Sequence, residues 1–424
     1  MGQQETTPAR PLTVLASGVS WDGVRGSERA LTEALNRFTD VLWVDPPVSP
    51  ATPRRYRRFG AEGPSWRPSL RTERSGVYRL TPVVLPGLTR PVIRTTTWPL
   101  VRRQARWALR RIGRVPDAVV ACSLDDILRG WPARTATVLY GTDDWVAGAE
   151  LMGQHAGRLH RQERRAVRAA DLVLAVTPQL ADRWRALGTE PALLPNGCDP
   201  DAYLAVDTVA PAPLPDGFPT PIAGVVGQLN DRLDAELLAA VADTGMGLLL
   251  VGPRNPDRWE SLVARPNVHH VGAVPFAELP RWLARIDVGL TPYTDTAFNR
   301  ASFPLKTLEY LAAGRPVVSS DLPASRGLAE ESADVFAVAG PAEFAARVRE
   351  LADVPHDPDA VRRRRAVAQR HSWAARAIRF TQLLTLARSD HRDMGSAATK
   401  DPDDSMNGTG EPANGRTRTP RRTG

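Results

Sequence analysis

Short apolar runs alternate with amphipathic segments along most of the chain. PLTVLASG (11–18), VLWVDPP (41–47), DAVVACS (117–123), ATVLYGT (136–142) and DLVLAVTP (171–178) are continuous apolar runs closed by glycine, proline or polar residues. Runs of that length and ending predict strands buried on both faces. Between them, SERALTEALNRF (27–38), with Ser27 as its cap, and ERRAVRAA (163–170) carry apolar residues at helical spacing. DTVAPAPLPDGFPTP (207–221) is proline-rich and aperiodic, and predicts a linker. A second alternating set follows. Its strands are IAGVVGQL (222–229), MGLLLVGP (246–253), DVGLTPY (287–293) and RPVVSSD (315–321). Its helices are DAELLAAVADTG (234–245), ELPRWLARI (278–286) and TLEYLAAG (307–314), with SWAARAIRFTQLLTLA (372–387) last.

Strands and helices alternating at this spacing predict the α/β class, with parallel sheets covered on both faces. The expected organisation is a flexible start over 1–10, a first domain over 11–206, the linker 207–221, a second domain over 222–370, a final helix over 371–388 and a disordered tail over 389–424. The tail has no apolar period. In open α/β sheets ligands bind at the carboxyl ends of the strands, so the cleft between two such domains is the expected site.

Composition narrows the class. No run of eighteen or more uncharged apolar residues predicts a spanning helix. Two cysteines, Cys122 and Cys198, make no disulfide framework, and no apolar leader opens the chain; the expected location is cytoplasmic. The net charge of +8 is uneven: residues 51–111 hold fifteen arginines against Glu62 and Glu73. Such a stretch suits anionic partners, or is a solvated arginine face. In 99–114 a helix would place Val101, Ala105, Ala108, Leu109 and Ile112 on one side and Arg102, Arg103, Arg106, Arg110 and Arg114 on the other. That pattern fits a peripheral contact of residues 51–114 with an anionic membrane surface, or a helix packed on its own domain. No nucleic-acid motif accompanies the arginines, so no nucleic-acid partner is expected.

Candidate chemistry gathers in FPLKTLEYLAAGRPVVSSDLP (303–323). Lys306 is one of only two lysines, the other being Lys400 in the tail. Pro304 suits a first helical turn and Ser302 an N-cap. The helix start offers free N–H groups and positive dipole to a phosphate, and Lys306 and Arg300 add charge beside it. Glu309 lies one turn on, where a carboxylate suits the vicinal hydroxyls of a ribose; the alternative is a surface pair with Lys306. Asp143 and Asp144 follow a strand end and could orient or deprotonate an acceptor hydroxyl, or cap a turn. Trp21 and Arg25 follow the first strand and are expected to line the cleft on the acceptor side. His155 and His160 read as surface or packing residues, and one of His269 and His270 as core-facing. No His, Asp or Cys cluster has metal-ligand spacing.

PLKTLEYLAAGRPVVSSDLP resembles the donor-site signature of family 4 glycosyltransferases, which have two Rossmann-like domains facing across a cleft, the GT-B fold. WDGVRGSERALTEALNRFTDVLWVDPP, YGTDDW (140–145), ERRAVRAADLVLAVTPQL, LPNGCDP (194–200), VVGQLNDRLDAELL (225–238) and NVHHVGAVPFAELPRWLARIDVGLTPY (267–293) are similar, in the same order, to a branch like the teichuronic acid biosynthesis enzymes. The resemblance covers about residues 11–388. It implies a final helix crossing back to the first domain, and metal-independent transfer of a hexose-like sugar from a nucleotide diphosphate sugar, retaining in the family's manner, to a cell-envelope glycan, glycolipid or lipid-linked acceptor. It implies no cofactor beyond that co-substrate. By it, Glu309 would hold the ribose; Asn299, Arg300, Ser302 and Lys306 the diphosphate; and Gly227 would let its loop approach. The chain departs from the family pattern at Ala301, where many members carry a second glutamate, and at Gln228, where many carry an arginine; Arg232 stands near the family's lysine. These departures bear on the sugar more than the nucleotide. They keep open a degenerate protein that binds a nucleotide or glycan without transfer.

Overall fold

The computed structural model describes residues 10–23, 25–52, 65–87, 90–354 and 357–397. The expected loose start through residue 9, the arginines between 53 and 64, and the tail from 398 lie outside the described residues.

The first domain is one eight-stranded sheet. Its strands are β1 (Leu12–Ala16), β2 (Asp40–Val44), β3 (Ser69–Arg74), β4 (Val77–Thr81), β5 (Ala118–Ala121), β6 (Ala136–Gly141), β7 (Leu172–Ala175) and β8 (Ala192–Leu193). Their order is β3-β4-β2-β1-β5-β6-β7-β8, parallel apart from the β3–β4 hairpin. Helices α1 (Ser27–Leu35), α2 (Pro91–Ile112), α3 (Ala156–Arg168) and α4 (Pro178–Arg185) cover it. Every residue of β1, β2 and β5 is buried, which is why those strands read as unbroken apolar runs.

Two local expectations change. Gly26, not Ser27, is the N-cap of α1, because the chain is still extended at Gly26 and already helical at Ser27. The apolar face of α2 is not free for a membrane. Val101, Ala105, Ala108 and Leu109 are buried in one core with Val14, Leu42 and Val119, since that face of the sheet needs a cover. Arg106 and Arg102 turn to the carbonyls of Gly130 and Asp126, while Arg103 and Arg110 are exposed.

The second domain is a six-stranded parallel sheet. Strands β9 (Ile222–Val226), β10 (Gly247–Val251), β11 (Val268–Gly272), β12 (Val288–Thr291), β13 (Val317–Ser320) and β14 (Val335–Val338) lie in the order β11-β10-β9-β12-β13-β14. Around it run α5 (Ala235–Asp243), α6 (Pro256–Val263), α7 (Leu279–Leu283), α8 (Ala297–Arg300), α9 (Leu305–Ala312), α10 (Pro323–Glu331), α11 (Pro341–Ala352) and α12 (Pro358–Arg370). The architecture is GT-B: two parallel-sheet α/β domains with a cleft between their strand ends.

The chain crosses between domains twice, and the two crossings touch. Leu194 belongs to the first core, whereas Cys198, Tyr203 and Val206 already belong to the second. The crossing therefore precedes the proline-rich stretch, whose Ala212 pairs through backbone with Arg281. On the return, the Cys198 N–H donates to the His371 carbonyl and the Trp373 N–H to the Cys198 carbonyl. Helix α13 (Trp373–Ala397) then lays Trp373, Ala377, Phe380 and Leu383 on α1 and the first sheet. It does not stop at Arg388: the Ser389 hydroxyl bonds back to the Thr385 and Leu386 carbonyls and so continues the helix.

Candidate functional site

The loop leaving β9 forms the floor of the second-domain half. Gly227 has φ 147°, a conformation glycine adopts at no steric cost. Its carbonyl would lie 1.8 Å from a Cβ on Gly252, so the loops after β9 and β10 are in direct contact and position 252 admits only glycine. Buried Tyr310, from α9, ties the same strand down: its hydroxyl donates to the Gly224 carbonyl (3.2 Å) and accepts from the Val226 N–H (2.7 Å).

Lys306 extends along this floor. A Cβ on Gly227 would sit 3.6 Å from its Cε, and its Nζ lies 2.6 Å from Glu309 Oε2. Burial works to lower the Lys306 ammonium, but Glu309 beside it outweighs burial and holds it above the usual lysine range. Glu309 also faces the hydroxyl of Tyr203, which burial and this carboxylate together push far above its ordinary range. Tyr203 is 1% exposed and meets Phe276 edge-on, with centroids 6.2 Å apart. Arg232 is held by Asn299: its Nε donates to Asn299 Oδ1 (3.0 Å), and the guanidinium lies over Phe298, 4.7 Å from the centroid.

The opposing half comes from the first domain. Asp143 follows β6 and has no hydrogen bond among the described residues. Burial pushes its carboxyl up to about 6, against the pull of Arg232 across the cleft. Glu28, in the first turn of α1, is 8% exposed, and burial raises it to about 7 although it accepts from the Ser17 hydroxyl and the Gly18 N–H. Asp143 is one of the charges acting on Glu28, so two protonatable carboxyls share the floor of this half.

The halves meet on the loop around α8. The Thr177 hydroxyl donates to the Ala301 carbonyl at 2.8 Å, and a Cβ on Gly148 would lie 2.8 Å from the Phe298 ring. Arg25 reaches over from the first domain, with its guanidinium 5.8 Å from the centroid of Phe276.

Of the sequence candidates, Gly227, Arg232, Lys306, Glu309 and Asp143 converge. Others are occupied elsewhere. Asp144 takes both oxygens to Arg183 (2.6 and 2.7 Å) and accepts from the Ala147 N–H, so it closes a turn rather than facing the cleft. Trp21 is 6% exposed, packed against Trp43 with Arg29 on its face, and is core rather than a sugar platform. Arg25 pairs with Glu33 and Asp199. Arg300 is exposed and bound to Asp295. Ser302 does not cap α9; its hydroxyl donates to the Phe298 carbonyl, and Pro304 takes the cap position. Asn299 is buried and spends its amide on Arg232 and Thr294, so it positions Arg232. His160 lies near Glu163, and His270 bonds the Gly252 carbonyl. Glu28 and Tyr203 were not singled out in the sequence. Glu28 stands in an ordinary amphipathic helix, and Tyr203 in a stretch without periodicity. Among the described residues no group of His, Cys, Asp and Glu is arranged to hold a metal ion.

Residues 221–353 match the family described as glycosyl transferases group 1. A Bacillus subtilis (strain 168) protein described as the teichuronic acid biosynthesis glycosyltransferase TuaH is 30% identical over 158 residues, which span 36% of this chain and 40% of that protein. Sucrose-phosphate synthase from Thermosynechococcus elongatus shares the fold with a TM-score of 0.64, at 18% identity, over 92% of this chain and all of that one (100%). Anabaena HepE, solved in complex with UDP and glucose, superposes with a TM-score of 0.59 at 16% identity, over 89% of this chain and 100% of that one. WaaG, described as a glycosyltransferase of lipopolysaccharide biosynthesis, gives 0.57 at 16% identity, over 88% and 99%.

Proposed function

We propose that this GT-B chain, whose second domain belongs to the group 1 glycosyl transferases, moves a sugar from a nucleotide diphosphate sugar to a hydroxyl of a cell-envelope acceptor. The observation that carries the reading is the pairing of Lys306 and Glu309 beside Gly227, with Arg232 acting on Asp143 across the cleft. Glu309 accepts hydrogen bonds from the ribose hydroxyls. Lys306 then leaves its carboxylate partner for the diphosphate, as a compact charge on a flexible stem. Arg232 and the N–H groups at the start of α9 add to the positive field, which stabilises the leaving diphosphate without calling on a cofactor or a metal. Asp143 takes the proton of the acceptor hydroxyl; a carboxyl poised at about 6 is ionised at neutral pH yet still basic enough to accept it. The acceptor oxygen bonds to the anomeric carbon on the face from which the diphosphate departs, so the configuration is retained, and the enzyme works at the cytoplasmic face of the membrane. UDP in the HepE complex and the cell-envelope roles in the names of TuaH and WaaG support the choice of donor and acceptor class. Among the described residues no helix is long and apolar enough to cross a membrane.

The test is thermal stabilisation by UDP, GDP, ADP and TDP, on the wild type and on Glu309→Gln. A ligand that binds only the folded state raises the melting temperature by mass action. One nucleotide is expected to stabilise the wild type and to lose that effect in the variant. No stabilisation by any of the four sinks the donor site.

A further inference from the structure

The two crossings between the domains meet at one side chain. His371 lies between α12 and α13, is 8% exposed, and its carbonyl accepts the Cys198 N–H of the first crossing. The two segments are in close contact: a Cβ on Gly197 would lie 2.9 Å from the His371 carbonyl oxygen and 3.1 Å from the Trp373 ring. Three elements converge on the imidazole. Its Nε2 lies 2.7 Å from Glu331 Oε2, at the end of α10 in the second domain. Its Nδ1 is hydrogen-bonded to the guanidinium of Arg376, on the helix that packs on the first domain. Its face stacks on Phe303, with centroids 6.4 Å apart. Phe303 stands in the loop between α8 and α9 and packs against the cores of both domains.

These partners fix the tautomer. A guanidinium has only N–H donors, so Nδ1 is the acceptor and the Nε2–H donates to Glu331. One neutral form satisfies both. A proton added at Nδ1 sets a donor against a donor and a positive charge against a positive charge, and the Arg376 contact is lost. The charges that face the ring are Glu331 from α10, Arg376 from α13 and Arg370 from the end of α12. Burial holds the imidazole below its ordinary 6.5; the Glu331 bond opposes this, and Arg376 and Arg370 add to it. The arrangement of the two domains seen here therefore belongs to the neutral ring. Its advantage is complete above about pH 6.5 and is lost as pH falls below that value.

We propose that neutral His371 is a positioning residue for the donor loop: it clips the crossover helix to the second domain and seats Phe303, and its protonation releases the clip and lets the two halves of the cleft part. Phe303 lies three residues before Lys306, so the loop that loses its seat is the one that leads into α9. Only the name donor loop rests on the transferase reading; the clip itself does not.

The experiment is small-angle X-ray scattering on the full chain without nucleotide, between about pH 7.5 and about pH 5. Nucleotide is left out because a bound donor adds closing contacts of its own. The wild type is compared with His371→Gln and Glu331→Gln. A glutamine at 371 can accept from Arg376 through its oxygen and donate to Glu331 through its nitrogen, so it copies the neutral ring and takes no proton. The wild-type radius of gyration is expected to rise reversibly as pH falls, while His371→Gln stays at the neutral-pH value throughout. Glu331→Gln alters a side chain that is 47% exposed and removes the charge that favours the imidazolium. It should begin to open at a higher pH than the wild type. Asp143 titrates in the same window but is present in all three proteins, so the differences among them isolate His371. A wild-type radius that does not change with pH, or an equal rise in His371→Gln, overturns the proposal. If His371→Gln does not fold, Glu331→Gln decides: opening at or below the wild-type pH overturns it. The nucleotide melting test at neutral pH judges the transferase reading separately, and its failure would leave the scattering result standing.

Discussion

Glu28 offers a direct measure of how the first-domain half of the cleft is built. Its carboxyl is pushed from an ordinary 4.5 to about 7, chiefly by burial, with the Ser17 and Gly18 bonds working against that rise. The folded chain therefore holds this proton more tightly than the unfolded chain. The stabilisation from that proton is complete below about pH 4.5 and is lost as pH climbs through about 7. With those two values the loss between pH 5 and pH 8 is on the order of a few kcal/mol. Glu28→Gln keeps the shape and removes the titration. Relative to the wild type, the variant should gain a comparable amount, on the order of a few kcal/mol, between the same two pH values. Asp143 titrates in the same window with the same sign, so only the difference between the two proteins is informative. Because the chain has two domains, global unfolding need not be two-state. Urea-dependent hydrogen exchange of the segment 10–35, which holds β1 and α1, reads the local stability instead. A variant offset that is the same at both pH values would refute burial as the cause of the raised carboxyl.

Asp143→Asn should lower kcat by a factor of about 10² or more with little change in nucleotide binding. The wild-type rate should rise with pH through about 6, where Asp143 ionises, and that limb should vanish in the variant. Tyr203→Phe removes the hydroxyl from Glu309, and nucleotide affinity should fall about tenfold with the fold intact. Gly148→Ala places a Cβ 2.8 Å from the Phe298 ring. It should hold the cleft open, raising the radius of gyration in solution scattering and reducing turnover more than nucleotide binding. Arg79→Met strips Asp45 of a buried partner at 2.7 Å, and should destabilise the first domain by about 3 kcal/mol or more in chemical denaturation.

The parts of the fold visible in the sequence are those where burial is uniform. Strands buried on both faces read as apolar runs, and α9 announces itself through Pro304 and Gly314 at its ends. The hairpin of β3 and β4 does not, because SLRTER on the exposed sheet edge has no apolar side to display. Helix α2 shows the limit of periodicity. An apolar stripe says that something covers it, not whether the cover is a sheet or a lipid. Asp143 and Asp144 are adjacent and chemically equal in the sequence. Arg183, 39 residues further on, claims Asp144 and leaves Asp143 open. Glu28 and Tyr203 escaped notice for a similar reason: each is distinguished only by tertiary neighbours, Ser17 for one and Glu309 for the other. Where the resemblance to family 4 carried the reading, it placed the donor carboxylate and lysine together, but it also nominated Arg300 and Ser302, which pair with Asp295 and the Phe298 carbonyl instead.

The near-absence of lysine has a practical side. Lys306 is the single lysine of the described residues, and its side chain is 29% exposed. Apart from Lys400 and the chain's own amino terminus, an amine-selective reagent has one target, and that target is held by a carboxylate on the cleft floor. Labelling at Lys306 would then act as a gauge of the pocket in intact cells or crude extracts. It would be slow while the ammonium is paired with Glu309, faster in Glu309→Gln, and blocked when a diphosphate takes its place.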